Sequence, residues 1–480
     1  MLHPVPDIVP ALPEVVLSAA ILIIVLIDAF LSEAYRAVTY RLSLAALTLT
    51  GYLVYALSAA DTRVTFDGTF VADPMSDVLK IAICLLGVFM FLYSRDYLRE
   101  IKLFKGEFYV IGLIGILGMM IMTSAHSLLT VYLGLELLSL SLYALTAMKR
   151  DDGRASEAAI KYFVLGALAS GLLLYGMSMI YGATGDLNLA RIAGAIAGVD
   201  ADKQAILVFG LVFVVVGVAF KLGAVPFHMW LPDIYQGAPV VVTMFISSAP
   251  KLAAFAMVMR LLVEAMGALS GHWTQMLLVL AVLSLIIGNV VAIAQDNIKR
   301  MLAYSTIAHV GFIVMGVMSG HGEGYAAAMF YVITYALMAT AGFAILALLS
   351  RDGEECETLD HMKGLNQRHP WLAFLMLLVM FSMAGLPPTV GFYAKLLVLQ
   401  SVVGAGLLEL AAVAMLFSVI GAFYYLRVVK LMYFDAAEPA APAIAPSMSA
   451  QAALSVNALG LLVLGLFPAA LIQLCVNALG

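Results

Sequence analysis

Stretches of about 20 predominantly apolar residues, each long enough to cross a bilayer as one helix, recur along the whole chain. Fourteen are read from the sequence, at 14–34, 38–58, 76–94, 108–124, 126–148, 157–182, 205–229, 239–264, 273–294, 300–319, 323–350, 371–399, 405–433 and 450–478. Hydrocarbon offers backbone N–H and C=O groups no partner, so segments of this length have to be helices. With 64% hydrophobic and 11% charged residues, the chain lies outside the range of soluble domains. No connecting segment is long enough for a separate folded domain. The expected fold is all-α, a single polytopic transmembrane domain over 1–480.

Lysine and arginine set the expected orientation. One alternate set of loops carries Arg36, Arg41, Arg95, Arg99, Lys102, Lys105, Lys149, Arg150, Arg154, Lys299, Arg300, Arg351, Lys363 and Arg368, whereas the opposite set has Arg63, Arg191 and Lys203. The positive-inside rule then puts the basic loops in the cytoplasm and both termini outside. No Lys or Arg precedes Arg36, so the first span lacks the basic start of a cleavable signal and reads as a retained helix.

Two spans are interrupted. In AFKLGAVPFHMWLPD (219–233), Lys221 is followed by Gly223 and Pro226; in GLPPTVGFYAK (385–395), Pro387 and Pro388 precede Lys395. Lipid tolerates such breaks only where the freed backbone is buried in protein or lines a polar cavity. The breaks fall in the seventh and twelfth spans. That spacing suggests two five-helix repeats, spans 4–8 (108–264) and 9–13 (273–433), flanked by a three-helix segment (1–107) and a last helix (450–480). Five being odd, the repeats would enter the membrane from opposite sides, the inverted arrangement of many transporters.

A charged side chain at membrane depth costs about 2.5–3.5 kcal/mol and usually marks function. Lys221 could instead snorkel, but the adjoining break argues against it. Glu136 lies in the fifth span, where Tyr132, Glu136, Ser139 and Tyr143 follow helical spacing as one polar stripe; the structural alternative is a protonated, hydrogen-bonded core acid. Burial disfavours a charge and a nearby opposite charge restores it, so a Lys–Glu pair of variable separation can load and release a proton. In the eighth span Thr243, Ser247 and Lys251 recur at i, i+4 and i+8, and Pro250 removes another backbone hydrogen bond. Ser305 and His309 stand at i and i+4 in the tenth, His309 being either a satisfied core residue or a relay. Lys161, four residues after Glu157, is open between a surface pair and a functional group. His228 and Asp233 cap the first break or shape an entry. Lys80, near the start of the third span, is expected to snorkel.

Cys84, Cys356 and Cys475 form no CxxC pair, and neither a Walker A sequence nor a dinucleotide fingerprint is present. No cofactor or metal is expected on this chain, and no basic tract points to nucleic acid. The driving energy has to come from an ion gradient or a partner.

KLGAVPFHMWLPDIYQGAP (221–239), SSAPK ending at Lys251, YSTIAHVG (304–311) and GLPPTVGFYAK (385–395) resemble the antiporter-like membrane subunits of bacterial respiratory complex I, the proton-translocating NADH:quinone oxidoreductase. The resemblance covers nearly the whole chain. In that family a fifth-helix glutamate pairs with a seventh-helix lysine, matched by Glu136 and Lys221; Lys251 matches the connecting lysine and Lys395 the twelfth-helix lysine. Leu231 and Thr389–Val390 depart from the usual residues without removing an ionisable group. The resemblance implies proton translocation in the bacterial inner membrane, with antiporter-like M and K subunits as neighbours. NADH, FMN, iron–sulfur clusters and quinone would belong to partner subunits. A subunit of a multisubunit Na⁺/H⁺ antiporter, sharing the broken helices but lacking a redox partner, is the second reading. A membrane scaffold with structural ionic residues is the third.

Overall fold

The apolar runs become helices where the hydropathy places them. A computed structural model describes residues 6–350, 354–436 and 447–479; Arg351, assigned above to a basic loop, lies outside them. Among the described residues, thirteen helices are long and apolar enough to cross a membrane. The remaining expected span, the twelfth, is two shorter helices, Pro370–Ala384 and Val390–Gly404. The seventh is likewise divided, into Ala201–Leu222 and Trp230–Gly237. The last is broken too, Met448–Leu466 being followed by Ala469–Leu479.

Side chains at the helix ends explain several boundaries. Asp73 and Ser76 form a reciprocal capping box at the start of the third span (Pro74–Glu100). Ser127, Asp152 and Asn297 accept backbone N–H groups at the starts of Leu128–Thr146, Gly153–Thr184 and Ile298–Met318. Close packing follows small residues, as between membrane helices generally. A Cβ at Gly118 would lie 2.7 Å from Leu138 N of the fifth helix, and one at Gly288 would lie 2.6 Å from Ala308 N of the tenth.

The most enclosed spans are the eighth (Val240–Ala265), the tenth (Ile298–Met318) and the eleventh (Gly322–Leu349). The first, second, sixth and thirteenth leave large apolar side chains outward, Leu22, Tyr55, Leu168 and Val419 among them. Lys251 and His309 therefore sit on two of the most enclosed helices.

Three features depart from expectation. A hairpin pairs Arg63–Thr65 with Phe70–Ala72 between the second and third spans, and a short helix, Leu189–Ile196, precedes the seventh; both are too short for a span-length reading. Lys80 does not snorkel. It is 1% exposed, and its Nζ lies 2.6 Å from Glu14 Oε1 of the first span and 4.9 Å from the Phe70 ring centroid. The approach to Glu14 is an ion pair rather than an aligned hydrogen bond. A buried carboxylate partner removes the reason to reach for water.

Candidate ion-translocation site

Both helix breaks are built alike. Ala201–Leu222 ends at Gly223 with φ 83°, and Pro370–Ala384 ends at Gly385 with φ 85°, the left-handed turn that glycine adopts without penalty. The N–H of each glycine turns back into its own helix, bonding Ala219 and Phe220 carbonyls in one case and Phe381 and Ser382 carbonyls in the other. The carbonyl just before each glycine is then free of the helical ladder.

A buried lysine takes each of these carbonyls. Lys251 Nζ donates to Leu222 O at 2.9 Å and lies 5.5 Å from the Trp230 ring centroid. Lys395 Nζ donates to Ala384 O at 2.8 Å and to Ser418 Oγ at 2.9 Å, and lies 5.5 Å from the Phe312 ring centroid. An ammonium has only donors to offer, so a freed carbonyl, a hydroxyl and an aromatic face are the groups that can hold it away from water. Trp230 is itself fixed by an Nε1–H bond to Phe220 O at 3.0 Å.

Lys221, in the last turn before the first break, donates to Ser139 Oγ at 2.8 Å. The Ser139 hydroxyl in turn donates to Leu135 O at 2.6 Å. Glu136, the expected partner, stands on the same stripe of the fifth helix but forms no ion pair with Lys221 among the described residues. It is half-buried, and its Oε1 is enclosed without a hydrogen-bond partner among them. Ser139 thus stands where the sequence led us to expect Glu136. A cavity of about 10 Å³, lined by Ser139, Tyr143, Lys221 and Trp230, adjoins this contact; it matches the space one water needs.

Beyond the second break, His309 Nδ1 meets Tyr331 Oη at 2.7 Å and His309 Nε2 meets Tyr425 Oη at 3.0 Å. Tyr425 Oη is in turn 2.5 Å from Ser305 Oγ. A neutral imidazole uses one nitrogen as donor and the other as acceptor, so this chain of hydroxyls has two complementary proton arrangements. His309, Tyr425, Ser418 and Lys395 line a second cavity of about 10 Å³. His309 and Lys395 are therefore brought together, and Lys251 stands at the first break beside Lys221. Sequence reasoning missed Tyr331, Ser418 and Tyr425. The signal for the last two was their seven-residue spacing, which places them on one face of the thirteenth helix.

The eighth span bends at Ser248 (φ −111°, ψ −97°), and Pro250 falls in the first turn of the following helix, where its missing N–H leaves no bond unmade. Thr243 donates to Tyr235 O at 3.0 Å and Ser247 to Met244 O at 3.0 Å. Lys161 makes the expected pair with Glu157 and a second one: its Nζ is 2.8 Å from Glu157 Oε1 and 2.9 Å from Asp233 Oδ2. Asp233 also binds Arg300 at 2.8 Å, so it ties the end of the broken seventh span to the sixth and tenth. His228 is buried within the break, and its Nδ1 has no partner among the described residues. Cys84, Cys356 and Cys475 are free and buried in separate places, and no group of three or more His, Cys, Asp or Glu stands together as a metal site among the described residues.

Fold and site define an antiporter-like membrane subunit. The family described as NADH:quinone oxidoreductase/Mrp antiporter, transmembrane, matches residues 125–421. NADH-quinone oxidoreductase subunit N of Thioalkalivibrio sulfidiphilus is 56% identical over 479 residues, covering 100% of both chains. A chain of respiratory complex I from Thermus thermophilus superposes with a TM-score of 0.83 at 31% identity, covering 96% of this chain and 98% of that one. A chain of the Mrp complex from Dietzia sp. shares the fold, with a TM-score of 0.86 at 19% identity over 98% of this chain and 96% of that one. The protein described here belongs to the subunit N family of NADH-quinone oxidoreductase.

Proposed function

We propose that the chain moves protons across the bacterial inner membrane as a membrane-arm subunit of NADH-quinone oxidoreductase. Protons enter from the basic-loop, cytoplasmic side, load Lys221, pass to Lys251, and leave through His309 and Lys395 toward the side of the termini. Glu136 tunes Lys221 from across Ser139: moved closer it stabilises the ammonium, moved away it favours release. The observation that carries this is the paired construction of the breaks, each offering a freed carbonyl to a buried lysine. A carbonyl holds the ammonium without neutralising it, so the lysine remains free to give up its proton when a charge nearby changes.

NADH, FMN, iron–sulfur clusters and quinone belong to partner subunits in this reading, since three separated cysteines supply no cluster ligand set. The neighbours are the antiporter-like M and K subunits, and the trigger arrives through them. The two five-helix sets, 108–264 and 273–433, serve as the two half-paths. The Na⁺/H⁺ antiporter reading shares the family description and the fold, whereas the oxidoreductase reading also has the 56% identical relative behind it.

The test is proton uptake driven by NADH in membrane vesicles holding the whole complex, with Lys221→Ala and Glu136→Gln variants. We expect both to assemble and Lys221→Ala to slow uptake about 100-fold, the range for loss of one proton-transfer group. Undiminished uptake in both variants would leave only the scaffold reading.

A further inference from the structure

A polar cavity of about 280 Å³ lies on the face that carries the basic loops, room for several waters. Arg154 and Asp152 line it from the start of the sixth span, Gln236 from the end of the broken seventh, and Glu355 and Glu357 from the segment joining spans eleven and twelve. None of Glu136, Lys221, Lys251, His309 and Lys395 lines it.

Glu355 is where the cavity continues inward. Its carboxylate accepts from Lys299 Nζ at 2.6 Å, from the backbone N–H of Val240 at 3.3 Å and from the Tyr97 hydroxyl. Lys299 is fully buried behind it. Lys299 Nζ also donates to Ala238 O at 2.7 Å, an oxygen that the Thr243 hydroxyl approaches at 3.4 Å. One turn on from Thr243 stands Ser247, and Lys251 follows beyond the bend at Ser248, all three buried. Cavity, carboxylate, ammonium and the Thr243 hydroxyl are thus linked through Ala238 O, with Ser247 and Lys251 farther along the same span.

We propose that this cavity is the loading vestibule of the proton path, and that Glu355 with Lys299 hands protons from it onto the Thr243–Ser247 face, which leads to the neighbouring Lys221 and Lys251 at the first break. Lys299 releases one Nζ proton inward to water on that face. The Glu355 carboxylate, protonated from vestibule water, then returns a proton to the neutral Lys299 amine. The ion pair is restored, one proton has moved inward, and no net charge remains on the pair. This inference rests on the proton-translocating reading above.

Glu355 also ties three spans together, so the test needs a readout that a merely structural residue would not move. Inverted vesicles carrying the complete complex expose the vestibule to the medium. NADH-driven proton uptake is measured for Glu355→Ala, Glu355→Asp and Lys221→Ala, with and without millimolar formate, a carboxylate small enough to enter. We expect Glu355→Ala to slow uptake about 100-fold, formate to restore most of it, Glu355→Asp to retain part of the rate, and Lys221→Ala to stay slow in formate. If Glu355→Ala does not assemble, Glu355→Gln, whose single amide oxygen can keep the Lys299 bond, should assemble and be slow. Wild-type uptake in Glu355→Ala or Glu355→Gln, or a slow Glu355→Ala that neither formate nor aspartate improves, overturns the vestibule. Normal uptake in Lys221→Ala as well would mean that the translocating reading itself had failed.

Discussion

Single charges in an apolar chain were the clearest signal at the residue scale, because each needs a partner that lipid does not supply. Lys221, Lys251 and Lys395 were legible for that reason. Their partners were not: a backbone carbonyl freed by a helix break leaves no mark on the sequence, and Ser139 was visible only as one member of a polar stripe. Lys80 shows the same limit, since its partner Glu14 lies in another span. Removing one member of a buried ion pair leaves the other uncompensated and costs about 3–5 kcal/mol. Lys80→Met should therefore destabilise the subunit by that order, and Lys80→Met with Glu14→Leu should recover much of it. Thermal unfolding of the detergent-solubilised complex reads both; a double variant no more stable than Lys80→Met would show that the pair is not the relevant contact.

Elements were legible in proportion to their length. A hydropathy window finds helices of span length, and Gly–x–x–Pro or Gly–x–Pro–Pro marks where two of them snap. The three-residue strands near Arg63 and Phe70 and the eight-residue Leu189–Ile196 helix fall below that window. The breaks themselves make a prediction. Gly385 has φ 85°, and a Cβ there would lie 2.8 Å from Lys395 Cδ. Gly385→Ala should then cost roughly 1–2 kcal/mol for the left-handed backbone and push Lys395 off the Ala384 carbonyl, slowing proton uptake. Gly404 ends the same span, with open space where its Cβ would be, so Gly404→Ala is the control and should change neither uptake nor melting temperature. Equal effects of the two substitutions would separate the break from the function.

At the scale of the whole molecule, the first three spans are held to the rest by buried polar ties rather than by apolar packing alone. On the basic-loop side, Tyr97 of the third span meets Glu355. On the opposite side, Arg260 of the eighth span binds Asp73 through both oxygens, at 2.7 and 2.9 Å, and also reaches Thr123 O and Glu264. Asp73 caps the third span, so one guanidinium couples that cap to the end of the eighth. Burial pushes the Asp73 carboxyl up, but the Arg260 charge and hydrogen bonds, with those from Ser76, outweigh it and hold Asp73 below the usual carboxylate range. The folded chain thus binds this proton more weakly than the unfolded chain, whose aspartates titrate near about 3.9. Its stabilisation is present above about pH 4 and is lost as the pH falls further, through the depressed folded value. Asp73→Asn should therefore be less stable than the natural chain at neutral pH, with the gap narrowing as the medium is acidified below that point. Melting temperatures of the solubilised complex across that range decide it. A gap that stays constant with pH would mean that the Asp73 charge contributes nothing beyond the hydrogen bonds an asparagine keeps.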